Sequence, residues 1–239
     1  MKLRIILLLW FIALAGVIAT KQTFTGTANA GGSDLKWNTA DDDMAGWSKA
    51  SKMAVKMMKK KYGEPTEKTA HMMMWKDNGP WKKTVVYAKE VKHDFPMPHT
   101  DVMEQFVEYK VPADKFDDLA MFDGSVVCNR TAGKMSARCD KEEANMLALN
   151  LANDIVNGKK DVKSARDYYA KTIKELINGG KPEYTQKLLF DATSMNAGFA
   201  DERSSIITDE DMKKAAKMME DMEKEMQMQD TGMEPKSND

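Results

Sequence analysis

Residues 69–91 of the chain read TAHMMMWKDNGPWKKTVVYAKEV, two strand-like runs on either side of a turn signal. We predict strands at residues 69–75 and 81–91. The four residues Asp77-Asn78-Gly79-Pro80 suit the turn between them, because Asn-Gly accepts positive φ and proline can begin the next run. This stretch therefore predicts an antiparallel hairpin and with it a small antiparallel sheet.

Helical and strand patterns flank this hairpin. Before it, residues 42–62 carry apolar side chains at helical spacing, and Gly63 followed by Pro65 predicts the end of that helix. After it, residues 103–111 alternate as a third strand, with a helix as the alternative. A short helix is predicted at residues 112–122.

Two longer helices follow in sequence. Asp140 and Asp161 are predicted to lie at their N-termini, and Gly158 and Gly179 follow their last turns. The short link between them predicts an antiparallel helical hairpin. We therefore expect an α+β fold, in which a small antiparallel sheet packs against the N-terminal helix and this αα-hairpin.

The C-terminal part is predicted to be separate from a single globular domain at residues 31–190. Residues 192–200 are mostly small and polar, which predicts a linker at residues 191–207, and residues 230–239 are predicted to be a disordered tail. Residues 208–229 predict a Met-rich amphipathic helix that docks onto the domain or associates weakly with itself. The apolar face of this helix consists of residues at alternating spacings of three and four: Met212, Ala215, Met219, Met222 and Met226.

The N-terminus has the features of a secretory signal peptide over residues 1–30. Two basic residues precede an uncharged apolar run at residues 5–19, and Ala28-Asn29-Ala30 suits a cleavage site. As a helix this run would rise about 22 Å, less than the roughly 30 Å of a hydrocarbon core. We expect a periplasmic or secreted protein cleaved near Ala30; cleavage after Ala19 and a retained anchor are the alternatives.

Charge and motifs narrow the function classes. The chain has 36 basic and 37 acidic residues, and removal of residues 1–30 takes away three basic residues, leaving a formal charge of -4. No global positive field is present to bind nucleic acid. The sequence has no Gly-x-Ser-x-Gly, His-Glu-x-x-His or phosphate-loop motif. We therefore expect a non-enzymatic protein that meets a membrane only through its leader, and only if that leader is not cleaved.

The two cysteines, Cys128 and Cys139, lie within a second predicted hairpin at residues 125–139. A type II′ turn at Ala132-Gly133-Lys134-Met135 suits glycine at its first central position and places the two cysteines opposite each other. Disulfides persist in oxidising compartments, so export favours a structural disulfide. Two reduced thiols in a buried sheet and a redox pair are the alternatives.

Methionine is unusually frequent, with 21 residues in the chain. In the segment His71-Met72-Met73-Met74-Trp75, alternation on a strand would place His71, Met73 and Trp75 on one face. An imidazole, a thioether and an indole suit a soft cation such as Cu(I). The set is similar in residue type to periplasmic copper and silver chaperones of small β-barrel form. The alternative is that methionine fills irregular gaps in the core.

A second polar cluster consists of His93, Asp94, His99 and Asp101. Two imidazoles and two carboxylates are ligands for zinc and groups for acid–base catalysis. Two prolines separate the histidines, which predicts an extended connection with the imidazoles roughly 19 Å apart at about 3.1 Å per residue. A cis proline would shorten that distance. A metal or catalytic site and a rigid surface connection are therefore both open.

Trp75, Trp81 and Tyr87 form a candidate binding patch on the first hairpin, with cross-strand packing as the alternative. The helix, the stop at Gly63 and Pro65 and the Trp-bearing hairpin resemble small envelope-assembly domains. Our leading interpretation is an exported envelope protein, without a cofactor, that binds another protein or a surface component. The alternative is a Cu(I) or Ag(I) binding protein; the oligomeric state stays open.

Overall fold

A computed structural model describes residues 44–192 and 203–230 of the chain. The predicted signal peptide lies outside these residues, as do most of the predicted linker and tail. In chain order the elements are α1 Lys49–Tyr62, β1 Glu67–Lys68, β2 Met72–Asn78, β3 Trp81–His93, β4 His99–Glu108, α2 Phe116–Phe122, β5 Val126–Asn129, β6 Lys134–Cys139, α3 Glu142–Val156, α4 Val162–Ile177 and α5 Asp209–Asp230. The strands form one antiparallel sheet in the order β1-β2-β3-β4-β6-β5, which confirms the α+β fold.

The predicted first hairpin is confirmed as β2 and β3. Asn78 pairs with Trp81, so Gly79 and Pro80 form a two-residue loop, and Gly79 has the positive φ that such loops require. Strand β2 continues to Asn78, which was predicted to lie in the turn. The Asn78 side chain is buried and donates a hydrogen bond to Oγ1 of Thr84 at 3.0 Å, and this bond keeps it within the ladder.

Helix α1 begins seven residues later than the sequence predicts. Gly46 has a positive φ of 78°, which interrupts a helix, and Ser48 then caps α1 by accepting a hydrogen bond from the N–H of Ser51 at 3.1 Å. The predicted end at Gly63 is confirmed. One core lies between this helix and the sheet; its members include Ala54, Val55, Met58, Met73, Trp75, Val86 and Met103.

A second core lies beside the first and is covered by α2, α3 and α4. Its sheet residues include Val107, Met135 and Ala137. Met103 and Val107 lie four positions apart on β4 and therefore project to the same side, so the two cores share one face of the sheet. That face therefore carries both the N-terminal helix and the predicted αα-hairpin.

The predicted disulfide is wrong, and both thiols are free. In the hairpin of β5 and β6, Cys128 pairs with Met135, while Cys139 pairs with Met103 of β4. The connecting loop covers residues 130–133, two residues earlier than predicted, with Gly133 at positive φ as its last residue. This loop sets the register of β5 with β6. The residue opposite Cys128 is therefore Met135, and Cys139 lies four residues beyond it on β6.

The helical hairpin and the C-terminal helix are found where the sequence predicts them. Asp161 caps α4 by accepting the N–H of Ser164 at 2.6 Å. Helix α5 begins after Thr208, whose hydroxyl accepts the N–H of Asp211, and its side chains are exposed through Met228. Within the described ranges, no helix combines the length and apolar character needed to cross a membrane.

A candidate metal centre at the end of the sheet

The two histidines that sequence spacing separates are brought together by a hairpin. His93 is the last residue of β3, His99 is the first of β4, and the two are direct partners in the ladder. Their ring centroids lie 4.8 Å apart. The prediction of an extended connection is wrong, because residues 94–98 reverse the chain with a cis peptide bond between Phe95 and Pro96.

Asp101 lies between the two imidazoles. It is two residues beyond His99 on β4 and therefore projects to the same face. Its Oδ1 is 3.1 Å from Nε2 of His99, and its Oδ2 is 3.2 Å from Nδ1 of His93. One ligand atom from each of the three side chains lies within 4.8 Å of the others, and no other such group of His, Cys, Asp or Glu converges in the described part of the chain.

Hydrogen bonding orients the His99 ring. Its Nδ1 lies 2.8 Å from the carbonyl oxygen of Met97, so Nδ1–H donates to that carbonyl and Nε2 faces Asp101. The close approach of the Asp101 carboxylate, followed by that of Cys139, raises the pKa of His99 to about 11. A backbone carbonyl on one ring nitrogen is the usual arrangement for a histidine whose other nitrogen binds a metal.

Two buried polar atoms in this cluster lack hydrogen-bond partners. They are Nδ1 of His93 and Oδ1 of Asp101, whose residue is only 4% exposed. Nδ1 of His93 lies 3.2 Å from Oδ2 of Asp101, and Oδ1 of Asp101 lies 3.1 Å from Nε2 of His99, yet neither contact is a hydrogen bond. Buried polar atoms in folded proteins nearly always have a partner, and an ion is one of the explanations for an exception.

Further polar groups surround these three side chains. Asp123, just after α2, places Oδ1 3.6 Å from Nε2 of His93. Cys139, at the end of β6, is 6% exposed and places Sγ 3.4 Å from Nε2 of His99 and 3.6 Å from Oδ1 of Asp140. Burial raises the pKa of the Cys139 thiol. Cys139 therefore adds a buried thiol to the polar groups around His99.

A cavity of about 390 Å³ adjoins the cluster and gives it contact with solvent. His93 and Asp101 form part of its wall. The wall also contains Lys92, Glu104, Ser125 and Arg138.

The predicted aromatic patch is not on the surface. Trp75 and Trp81 are 2% and 1% exposed, and their indole N–H groups donate to the carbonyl of Gly63 and to the carboxylate of Glu142. Tyr87 is partly buried and donates to Glu104. The two tryptophans are therefore core residues, as the packing alternative predicts.

The three predicted ligands for a soft metal, His71, Met73 and Trp75, do not share one environment: Met73 and Trp75 are buried, whereas His71 is exposed. Met73 is fully buried in the core under α1, and Trp75 packs in the same core. His71 precedes β2 and is exposed. Met73 thus contributes to packing, and the structure does not bring an exposed imidazole, a thioether and an indole together.

Sequence reasoning named His93, His99 and Asp101 but missed Cys139, Asp123 and Asp140 as their neighbours. The pattern His99-x-Asp101 would have identified part of the cluster, because alternate residues on a strand share a face. Asp123, Cys139 and Asp140 lie at the ends of other helices and strands. Their distance from His99 in the sequence therefore does not predict that they are its neighbours.

Comparison of the chain with protein-family models, with curated proteins and with solved structures finds no match. The function is therefore inferred from the geometry of the site.

Proposed function

We propose that this protein binds a divalent transition-metal ion, zinc above all, through His93, His99 and Asp101. The observation that supports this most strongly is the convergence of the three side chains, two of which carry a buried polar atom without a hydrogen-bond partner. A bound cation would satisfy both. It would replace the proton on His99, as metal binding to imidazole requires.

The type of ligand narrows the choice of metal. Imidazole nitrogen suits zinc, copper, nickel and iron, whereas magnesium and calcium prefer sites made of oxygen atoms. Zinc also accepts carboxylate oxygen beside imidazole. The Cu(I) proposal at His71 and Met73 has weaker support, since burial separates these two side chains.

The proposal extends the expectation of an exported, non-enzymatic envelope protein. The leader pattern at residues 1–30 supports export, and metal ions are a ligand class that envelope proteins encounter. The buried positions of Trp75 and Trp81 remove one argument for a protein-binding patch at the first hairpin. Metal binding is therefore the activity that we propose for the folded domain.

The chain provides a matched control for testing this proposal, since it contains three histidines. We would titrate the full chain, freed of metal with a chelator, with Zn(II), Ni(II) and Mg(II) in a calorimeter. We expect one zinc per chain and no heat from magnesium. His99→Ala or Asp101→Ala should weaken zinc binding by at least about tenfold, whereas His71→Ala should leave it unchanged.

Two results would contradict the proposal. One is the lack of stoichiometric zinc binding by the folded wild-type chain. The other is an equal loss of affinity in His71→Ala and His99→Ala, which would show binding to scattered histidines.

A further inference from the structure

We propose that Sγ of Cys139 is the fourth protein ligand, so that the ion is held by two nitrogens, one oxygen and one sulfur. This inference depends on the proposed function and adds the identity of the complete ligand set. It implies a four-coordinate site selective for zinc-like ions.

Two separations measured from Nε2 of His99, one to Cys139 and one to Asp101, are close to those of a tetrahedral arrangement. Zinc–nitrogen bonds of about 2.0–2.1 Å and zinc–sulfur bonds of about 2.3 Å give a nitrogen–sulfur separation of about 3.5 Å at the tetrahedral angle. Sγ of Cys139 lies 3.4 Å from Nε2 of His99. For nitrogen and oxygen the same bond lengths give about 3.4 Å, and Nε2 of His99 lies 3.1 Å from Oδ1 of Asp101.

The sheet places Cys139 on the face that carries the other ligands. Cys139 pairs with Met103 across β4 and β6, and directly paired residues share a face. Asp101 and His99 alternate with Met103 on that face. Cys128 pairs with Met135, which lies four residues before Cys139 on β6. The register therefore places only Cys139 beside the proposed site.

Charge balance supports the same ligand set. A buried dication costs solvation free energy unless opposite charges accompany it. The Asp101 carboxylate provides one negative charge. The Cys139 thiolate provides the second when its proton passes to solvent as sulfur binds the metal, which leaves the four-ligand centre neutral.

The proposed ligand set also indicates what kind of metal site this is. Zinc with four protein ligands is characteristic of structural sites, whereas catalytic zinc keeps one position for water. Asp123 and Asp140 would then not bind the metal themselves. They would orient two of its ligands, Asp123 by contacting His93 and Asp140 by contacting Cys139. A closed site agrees with the expectation of a non-enzymatic protein.

Cobalt(II) substitution tests the role of Cys139 directly. The reduced, chelator-treated full chain is titrated with Co(II) without oxygen, and the absorption spectrum is recorded. We expect intense visible bands from tetrahedral cobalt and a near-ultraviolet sulfur-to-cobalt charge-transfer band. Cys139→Ser should lose the charge-transfer band and bind zinc at least about tenfold more weakly. The matched control Cys128→Ser should keep both bands.

The outcomes separate this inference from the proposed function. Tetrahedral cobalt bands without a charge-transfer band in the wild type would overturn the role of Cys139 and leave the histidine–aspartate site standing. Loss of the charge-transfer band in Cys128→Ser would also overturn it. Failure of the wild type to bind either Co(II) or Zn(II) would contradict the proposed function itself.

A second measurement applies if Cys139→Ser does not fold, as judged by circular dichroism. X-ray absorption of the zinc-loaded wild type should show one sulfur neighbour at about 2.3 Å. A first shell that contains only nitrogen and oxygen would exclude Cys139 as a ligand.

Discussion

At the scale of single residues, Glu142 joins α1, the first hairpin and α3 through one carboxylate. Its Oε1 accepts hydrogen bonds from the Tyr62 hydroxyl at 2.5 Å and from the Trp81 indole at 2.6 Å. Its Oε2 accepts a bond from Nζ of Lys61 at 2.5 Å. Burial, followed by the bond to Glu142, raises the pKa of Tyr62 to about 12, so the phenol remains a donor at neutral pH.

Substitution of Glu142 should therefore destabilise the domain. Glu142→Ala leaves the Tyr62 hydroxyl and the Trp81 indole without their acceptor, and each such loss costs about 1–3 kcal/mol. We expect the free energy of unfolding, measured by urea denaturation, to fall by about 2–6 kcal/mol. The neighbouring Glu143 is exposed, and Glu143→Ala should stay within about 0.5 kcal/mol of the wild type. Similar losses in both variants would contradict this account.

At the scale of elements, the helices follow the sequence closely because their signals are local. Asp161 was identified from sequence as the cap of α4, and the structure shows its carboxylate accepting the N–H of Ser164. A cap depends only on residues within one turn, so no distant contact has to be known. The start of α1 was missed because Gly46 and Ser48 interrupt an apolar pattern that reads as continuous.

The Asp161 cap should contribute measurably to stability. Asp161→Ala removes the acceptor for the N–H of Ser164, and the loss of such a cap costs about 1 kcal/mol. Asp167 forms only an exposed pair with Lys163 on the same helix, so Asp167→Ala should cost no more than about 0.5 kcal/mol. The comparison is made by chemical denaturation. An Asp161→Ala variant as stable as Asp167→Ala would show that the cap contributes nothing.

Strand pairing is the element-scale feature that local signals described incompletely. Glycine and asparagine identified both hairpin turns, but Gly133 was assigned to the wrong position in its loop. A shift of the loop changes every cross-strand partner, because register follows from loop length. The predicted pairing of Cys128 with Cys139 depended on that register, and the structure pairs Cys128 with Met135 instead.

At the scale of the whole molecule, the proposed site joins the β3–β4 hairpin to the end of β6. Metal binding should therefore stabilise the folded domain as a unit. Free zinc at about 100 times its dissociation constant adds about 2.7 kcal/mol of stability. For a domain of this size that corresponds to a rise in Tm of about 5–10 °C.

Differential scanning calorimetry of the full chain measures this effect. We expect the zinc-dependent rise in Tm in the wild type and in His71→Ala, and its loss in His99→Ala. Magnesium at the same concentration serves as the control and should leave Tm unchanged. A rise of equal size in His99→Ala would place the stabilising ion elsewhere.

The sequence by itself determined the helices, the first hairpin and the α+β class, because apolar periodicity, caps and turn residues act over a few neighbouring positions. Tertiary structure decided which further polar side chains meet His99 and Asp101, because alternation on one strand relates only that pair. His93, Asp101 and Cys139 belong to three different strands, and their approach follows from the reversal at residues 94–98 and from the register of β4 with β6. That register depends on hydrogen bonds between strands distant in sequence, which no local pattern specifies.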